Sequence, residues 1–289
     1  MSSCLKKIAV FGILLLTLAL FCLSQLNALE YGRKILSLSG DILGNEIFRT
    51  FSVSELNYEY LMTLAEMDSE RFSEYAAVVY LEENFSLSEK EAYRYSERQL
   101  ESDRKKLTSL KADAYDEMVS AFQAVFSDLK CFPVQDFTDE TGTYTVSYEN
   151  GWMDPRSYGG KRSHEGTDLM AEKNERGLYP IVSATDGVVE KIGWLPQGGY
   201  RIGIRSVHGA YFYYAHLAEY AKDFAIGEEV KAGTLLGLMG DSGYGEEGTV
   251  GQFPVHLHFG IYLTDKEGKE VSINPYYILE ILRNSEVFH

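Results

Sequence analysis

Six histidines occur in the 289-residue chain, and five of them lie between residues 164 and 258. His164-Glu-Gly-Thr-Asp168 sets two potential metal ligands four residues apart, with Gly166 permitting a turn between them. His256-Leu-His258 alternates in a strand-like stretch, which turns both rings to one face of a sheet. His216 follows the aromatic run Tyr213-Tyr-Ala. Three protein ligands and an open position make a catalytic zinc site, and imidazole with carboxylate serves zinc without thiols. His164, Asp168 and one of the pair His256 and His258 supply such a set. The metal lowers the pKa of bound water to about 7. Two further histidines beside that water can accept its proton and steady a developing oxyanion. Each element alone is commonplace, and an isolated buried histidine more often serves a hydrogen bond in the core. The joint occurrence in one stretch of chain carries the case.

That stretch reads as a sheet domain. From Tyr144 to Ile273 glycines recur among short Val/Ile/Tyr runs such as Gly187-Val-Val-Glu-Lys-Ile and Tyr200-Arg-Ile-Gly-Ile-Arg. Short strands with glycine turns indicate antiparallel pairing. Upstream the texture is different: Ser54 to Lys130 contains no proline and no glycine. Tyr58, Leu61, Met62, Leu64 and Ala65 recur at helical spacing, and so do Phe72, Tyr75, Ala76 and Val79. Ser88 to Glu91 offers a capping box opening a long helix. Leu107, Leu110, Ala114, Met118, Phe122, Val125 and Leu129 form its apolar stripe, expected to pack on the rest of the protein. Pro133 ends it. The fold class is α+β, with an acidic helical unit over 54–132 before a compact antiparallel all-β domain over 144–280. Residues 31–53 read as a linker.

Residues 1–30 read as an export segment. Lys6 and Lys7 precede an uncharged Leu-rich run from Ile8 to Leu23. The run is short for a span of about 17–25 residues and long for a signal core of about 7–15. Two readings follow: a signal cleaved near Ala28, or a single membrane anchor through residues 8–26. Both place the remainder outside the cytoplasm, in the envelope or beyond. Cys4 and Cys22 belong to this segment, so Cys131 stands alone and the exported part folds without an internal disulfide. Asp+Glu 43 against Lys+Arg 27 gives a net charge of -16. That balance excludes a phosphate-binding nucleic-acid partner and loose adhesion to anionic lipid.

Three segments, in order, carry a family resemblance: Gly159-Gly-Lys-Arg-Ser-His-Glu-Gly-Thr-Asp-Leu, Tyr214-Ala-His-Leu and His256-Leu-His-Phe. They resemble the signatures of the lysostaphin/LytM-type zinc endopeptidases. Pro180-Ile-Val-Ser-Ala-Thr-Asp-Gly-Val-Val, Val230-Lys-Ala-Gly-Thr-Leu-Leu-Gly and Ile273-Asn-Pro275 are also similar to that family. The resemblance spans roughly residues 144–280. It implies a domain with a long open groove and one zinc ion held by His164, Asp168 and His258. It implies His216 and His256 as the catalytic pair, and peptidoglycan stem peptides or cross-bridges as substrate. The segment before His256 departs from the family's small-residue run, placing Phe253 and Pro254 at the expected groove edge. His208 matches no ligand position and reads as a hairpin turn residue, and His289 as a terminus. Lys161 and Arg162 read either as solvated turn charges or as a pull on a substrate carboxylate.

A second class of function is a non-catalytic envelope scaffold or regulator of another wall hydrolase, using the helical unit as a partner surface. Intact ligands favour the enzyme. A lipoyl-type carrier needs a modifiable lysine at a hairpin, and Gln197-Gly-Gly-Tyr200 has none. The helical unit, lying upstream, is also a candidate cover for the groove.

Overall fold

The computed structural model describes residues 3–88, 95–156 and 160–284. Helix α1 (Ser3–Ser37) is unbroken. Its stretch Lys7–Ser37 is long and apolar enough to cross a membrane, with a mean hydropathy of 2.3 over an 18-residue window. Most apolar side chains between residues 8 and 29 are exposed, whereas Tyr31 and Ile35, one turn apart, are buried. One helix thus runs from the apolar segment directly into the helical core.

That core continues through α2 (Glu46–Arg49), β1 (Ser52–Val53), α3 (Glu55–Leu64), α4 (Ser69–Glu82), β2 (Ser86–Leu87), α5 (Glu97–Phe122) and a π-helical turn (Gln123–Ser127). β1 and β2 pair in parallel. The three expected helices correspond to α3, α4 and α5. The linker expected over 31–53 is corrected: Tyr31, Ile35, Leu38, Ile42, Leu43, Phe48, Phe51 and Val53 are all buried. Asn45 starts α2 by accepting from the Ile47 and Phe48 amides. Phe48 then packs edge-on against Phe51, Tyr80, Phe85 and Phe122 at 5.5–6.2 Å. The apolar residues of this segment have no period of their own, so only their partners reveal them as core. The capping box at Ser88 falls partly on residues 89–94, outside the described residues. α5 opens later, where Ser96 accepts from the Gln99 amide. Its stripe is buried except for Leu110, which adjoins Lys111, whose φ of -149° and ψ of 58° interrupt the helix.

The second half holds β3 (Phe137–Asp139), β4 (Gly142–Tyr144), β5 (Val146–Ser147), β6 (Pro155–Arg156), β7 (Arg162–Ser163), β8 (Thr167–Ala171), β9 (Pro180–Val182), β10 (Gly187–Leu195), β11 (Gly199–Ser206), β12 (Tyr211–Tyr220), β13 (Glu229–Val230), β14 (Leu235–Met239), β15 (His256–Thr264), β16 (Glu270–Ile273) and a closing helix α6 (Tyr276–Asn284). The main sheet runs β13-β10-β11-β12-β15-β8-β5 in space, with β14 and β16 pairing off its path, and it does not close into a barrel. Its pairings are antiparallel. Alternation separates two faces. Leu169, Ile202, Ile204, Phe212, Tyr214, Leu257, Phe259 and Ile261 are fully buried on one. The other face forms a groove of about 500 Å³.

The helical unit docks away from that groove. The Asn274 amide donates to Arg49 O at 2.9 Å, and Arg49 Nη1 donates to Ser272 O at 2.8 Å. His208 does sit in a hairpin turn, and it also donates its backbone N–H and its Nδ1–H to the buried Asp128 carboxylate at 2.8 and 2.7 Å. Every residue lining the groove belongs to the stretch 156–270. The helical unit therefore does not cover the groove in this conformation.

Candidate active site

Three strands build the centre. β8 and β15 pair antiparallel with Asp168 directly opposite His258, and β12 follows with Ala215 opposite His258. Asp168, His256 and His258 all face the groove, because their strand neighbours Leu169 and Leu257 face the core. His164 arrives from the turn between β7 and β8. Its Nε2 lies 3.0 Å from Asp168 Oδ1 and 3.1 Å from His258 Nδ1, and that Nδ1 lies 2.9 Å from Asp168 Oδ1. The donor atoms of these three residues lie within 4.8 Å of one another. A zinc ion with ligands at about 2.0–2.1 Å asks for tetrahedral donors about 3.3 Å apart, close to the edges of this triangle. Two imidazoles and one carboxylate are also a donor set that suits zinc. The residues present therefore fit the metal.

Gly166 lies in the bend between β7 and β8 and also permits a close approach. A Cβ there would meet His258 Cε1 and Phe259 O, both at 2.6 Å, and His258 Nε2 at 2.7 Å. Only a glycine lets the β7–β8 turn lie against the His258 ring.

His216 reaches the groove by a backbone device. By parity with Phe212 and Tyr214 it would face the core. The β11–β12 register shifts between Tyr200 and Ile202, opposing Leu217 and Tyr214, which places an extra β12 residue at a bulge. His216 has φ of 65° there, a strained value for a residue with a side chain. The turn swings its ring to 4.7 Å from the His256 ring and 6.1 Å from the His258 ring.

The rings of His164, His216 and His256 are each held through one nitrogen. The Nδ1–H groups of His164, His216 and His256 donate to Gly151 O, Ser242 O and Pro254 O at 2.9, 2.8 and 2.7 Å. A carbonyl only accepts, so Nδ1 carries the proton and Nε2 is left as acceptor. His256 Nε2 stands 3.8 Å from Asp168 Oδ1, outside the tight trio. Burial pushes His216 well below the ordinary imidazole value and also lowers His256 and His258. Burial opposes the Asp168 carboxylate, but the His164 and His258 imidazoles set against it outweigh that and hold its pKa well below the usual range.

Phe253 packs edge-on against His216 at 4.6 Å and His256 at 5.1 Å. The unusual segment before His256 thus buttresses both rings. Arg162 lines the groove from β7. Three groove residues escaped sequence reasoning. Arg156 Nη2 donates to Asp168 Oδ2 at 2.7 Å, a link that no spacing announces. Tyr213 lies 5.9 Å from the His258 ring. Arg201 shares the groove face. Its opposite parity to Ile202 and Ile204 was the available signal.

Residues 162–275 match the family model described as peptidase family M23. A Bacillus subtilis protein named L-Ala--D-Glu endopeptidase is 48% identical over 130 residues, which are 45% of this chain and 38% of that protein. The chain thus spans well under half of that relative's length. A crystal structure from Ruminococcus gnavus, described as a candidate glycyl-glycine endopeptidase LytM, is 44% identical with a TM-score of 0.69. It covers 84% of this chain and 92% of its own, so the likeness extends upstream of the family match. The catalytic domain of lysostaphin from Staphylococcus simulans is 25% identical over 47% of this chain and 92% of its own, with a TM-score of 0.37. On the strength of the Ruminococcus likeness and the family match, the chain belongs to peptidase family M23.

Proposed function

We propose that this chain is a zinc-dependent endopeptidase that hydrolyses peptide bonds in the stem peptides or cross-bridges of bacterial peptidoglycan. The observation that carries the reading is the convergence of His164 Nε2, Asp168 Oδ1 and His258 Nδ1 in an open groove, with His216 and His256 beside them. His164, Asp168 and His258 would hold the metal. Bound there, zinc would supply Lewis acidity toward a carbonyl and a water acidified to a pKa of about 7. Arg156 holds Asp168 Oδ2 and so leaves Oδ1 to face the two imidazoles. His216 and His256 present Nε2 as acceptors, so either can take a proton from the attacking water. Once protonated, that ring can donate to the tetrahedral oxyanion or return the proton to the leaving amine.

In this reading the peptidase unit occupies 144–280, behind a helical unit whose core begins near Tyr31. α1 supports export, with the peptidase on the outer face of the cytoplasmic membrane or released from it. The helical unit is free of the groove and available to an envelope partner. A purely scaffolding role would leave the intact five-residue cluster without use.

The test is cleavage by the full chain in mild detergent, with and without chelator, of defined peptides carrying L-Ala–D-Glu, D-amino-acid cross-link or glycyl-glycine bonds. Products are read by mass spectrometry. H258A should lose bound zinc and cleavage together. Undiminished cleavage by H258A would overturn the reading.

A further inference from the structure

The chain carries a net charge of -16, yet its groove holds a group of cations: Arg156, Arg162, Lys191 and Arg201. Their situations differ. Arg156 is tied to Asp168 at 2.7 Å. Lys191 pairs with Glu190 at 3.5 Å and Glu270 at 3.3 Å. Arg201 has no acidic partner among the described residues, and its Nη1 is buried without a hydrogen-bond partner. Arg201 lines the groove with no acid in ion-pair reach among the described residues, so its charge is left for a ligand anion.

The position of Arg201 says where that anion would lie. Asp168, His258 and Ala215 stand side by side across β8, β15 and β12. On the next strand, β11, Ile202 pairs with Tyr214, so Arg201 falls beside the bulge that carries Ala215 and His216. Two strand spacings put its Cα about 10 Å from that of His258. The intervening residue on this row is Ala215, which leaves the space between guanidinium and metal-ligand cluster unfilled by a large side chain. Tyr211 and Tyr213 flank it, and the Arg201 charge opposes the upward push of burial on both phenols. Gly198 and Gly203 keep the floor low, since a Cβ at either would strike the Tyr213 or Tyr211 hydroxyl at 2.2 and 1.9 Å.

We propose that Arg201 is the specificity-determining residue of the groove, binding a free carboxylate on the substrate beside the scissile amide. This rests on the peptidase reading of the same groove. A guanidinium matches a carboxylate with two parallel charge-assisted hydrogen bonds. A glutamyl residue keeps one free carboxylate whether its onward link runs through the α- or the side-chain carboxyl. A glycyl-glycine bond offers none. The unpaired arginine therefore selects a glutamyl peptide as substrate and disfavours an uncharged bridge.

The experiment uses the full chain in mild detergent and two probes: L-Ala-D-Glu-L-Lys, and the same peptide with its free glutamyl carboxylate converted to carboxamide. The wild type should show kcat/KM at least about tenfold higher for the carboxylate peptide. R201Q should bring that ratio close to one, and R201K should fall between them. Zinc content and Tm of each variant check folding. No preference in the wild type, or an unchanged ratio in R201Q, overturns the proposal without touching the peptidase reading. If neither peptide is cleaved, equilibrium binding of the two probes decides for Arg201. Carboxylate-selective binding lost in R201Q upholds the arginine; equal binding or none overturns it.

Discussion

Arg156 and Asp168 form a 2.7 Å ion pair through the carboxylate oxygen that does not face His164 and His258. The pair leaves one Asp168 oxygen pointed at the imidazoles and sets the carboxylate's orientation. Partners of this kind tune metal affinity through the ligand they hold. Arg156→Met should therefore weaken zinc binding by about 10–100-fold while His164, Asp168 and His258 remain. Competition against a chromophoric chelator measures it, and an unchanged affinity would show the pair to be incidental.

Gly166→Ala should be more damaging than its size suggests. The added methyl would sit 2.6 Å from both a ring atom of His258 and the Phe259 carbonyl. The carbonyl belongs to a central strand, so the ring or the turn must move. Zinc content and cleavage should fall together, with Tm much less affected. Full zinc loading in G166A would contradict the close-approach reading.

Ile35 tests whether the segment after α1's apolar stretch is linker or core. It is fully buried against the helical unit. Ile35→Ala should cost about 2–4 kcal/mol of stability, visible as a lower Tm of the full chain in detergent. A linker residue would leave Tm unmoved.

Glu82 carries a pH dependence. Burial, then the charges of Asp103 and Glu83, push its carboxyl up to about 7, with Lys34 pulling the other way. The folded pKa thus exceeds the unfolded one, so the folded state holds the proton more tightly. The contribution to stability is full below about pH 4.5, is lost as pH rises through about 7, and is flat above. Glu82→Gln should match the wild type in Tm at acid pH and exceed it at pH 8. Parallel Tm curves for the two proteins across that range would refute the assignment.

Much of this protein was legible from residue order. The switch from a glycine-free helical stretch to glycine-punctuated strands placed the two units, and the 2-residue period of His256 and His258 put both rings on one face. Both follow from local periodicity, which the chain imposes on itself. The choice between His256 and His258 at the trio was different. It depends on the β8–β15 register, which sets His258 opposite Asp168, a residue 90 positions away. The entry of His216 into the groove needed a bulge and a positive φ, invisible to a rule of alternation. Residues 31–53 have no period, so their burial emerged only once α4 and α5 supplied a surface. The pairing of Arg156 and the solitude of Arg201 are likewise tertiary facts. Sequence shows that an arginine is present, but only the packed sheet decides whether an acid comes within reach of it.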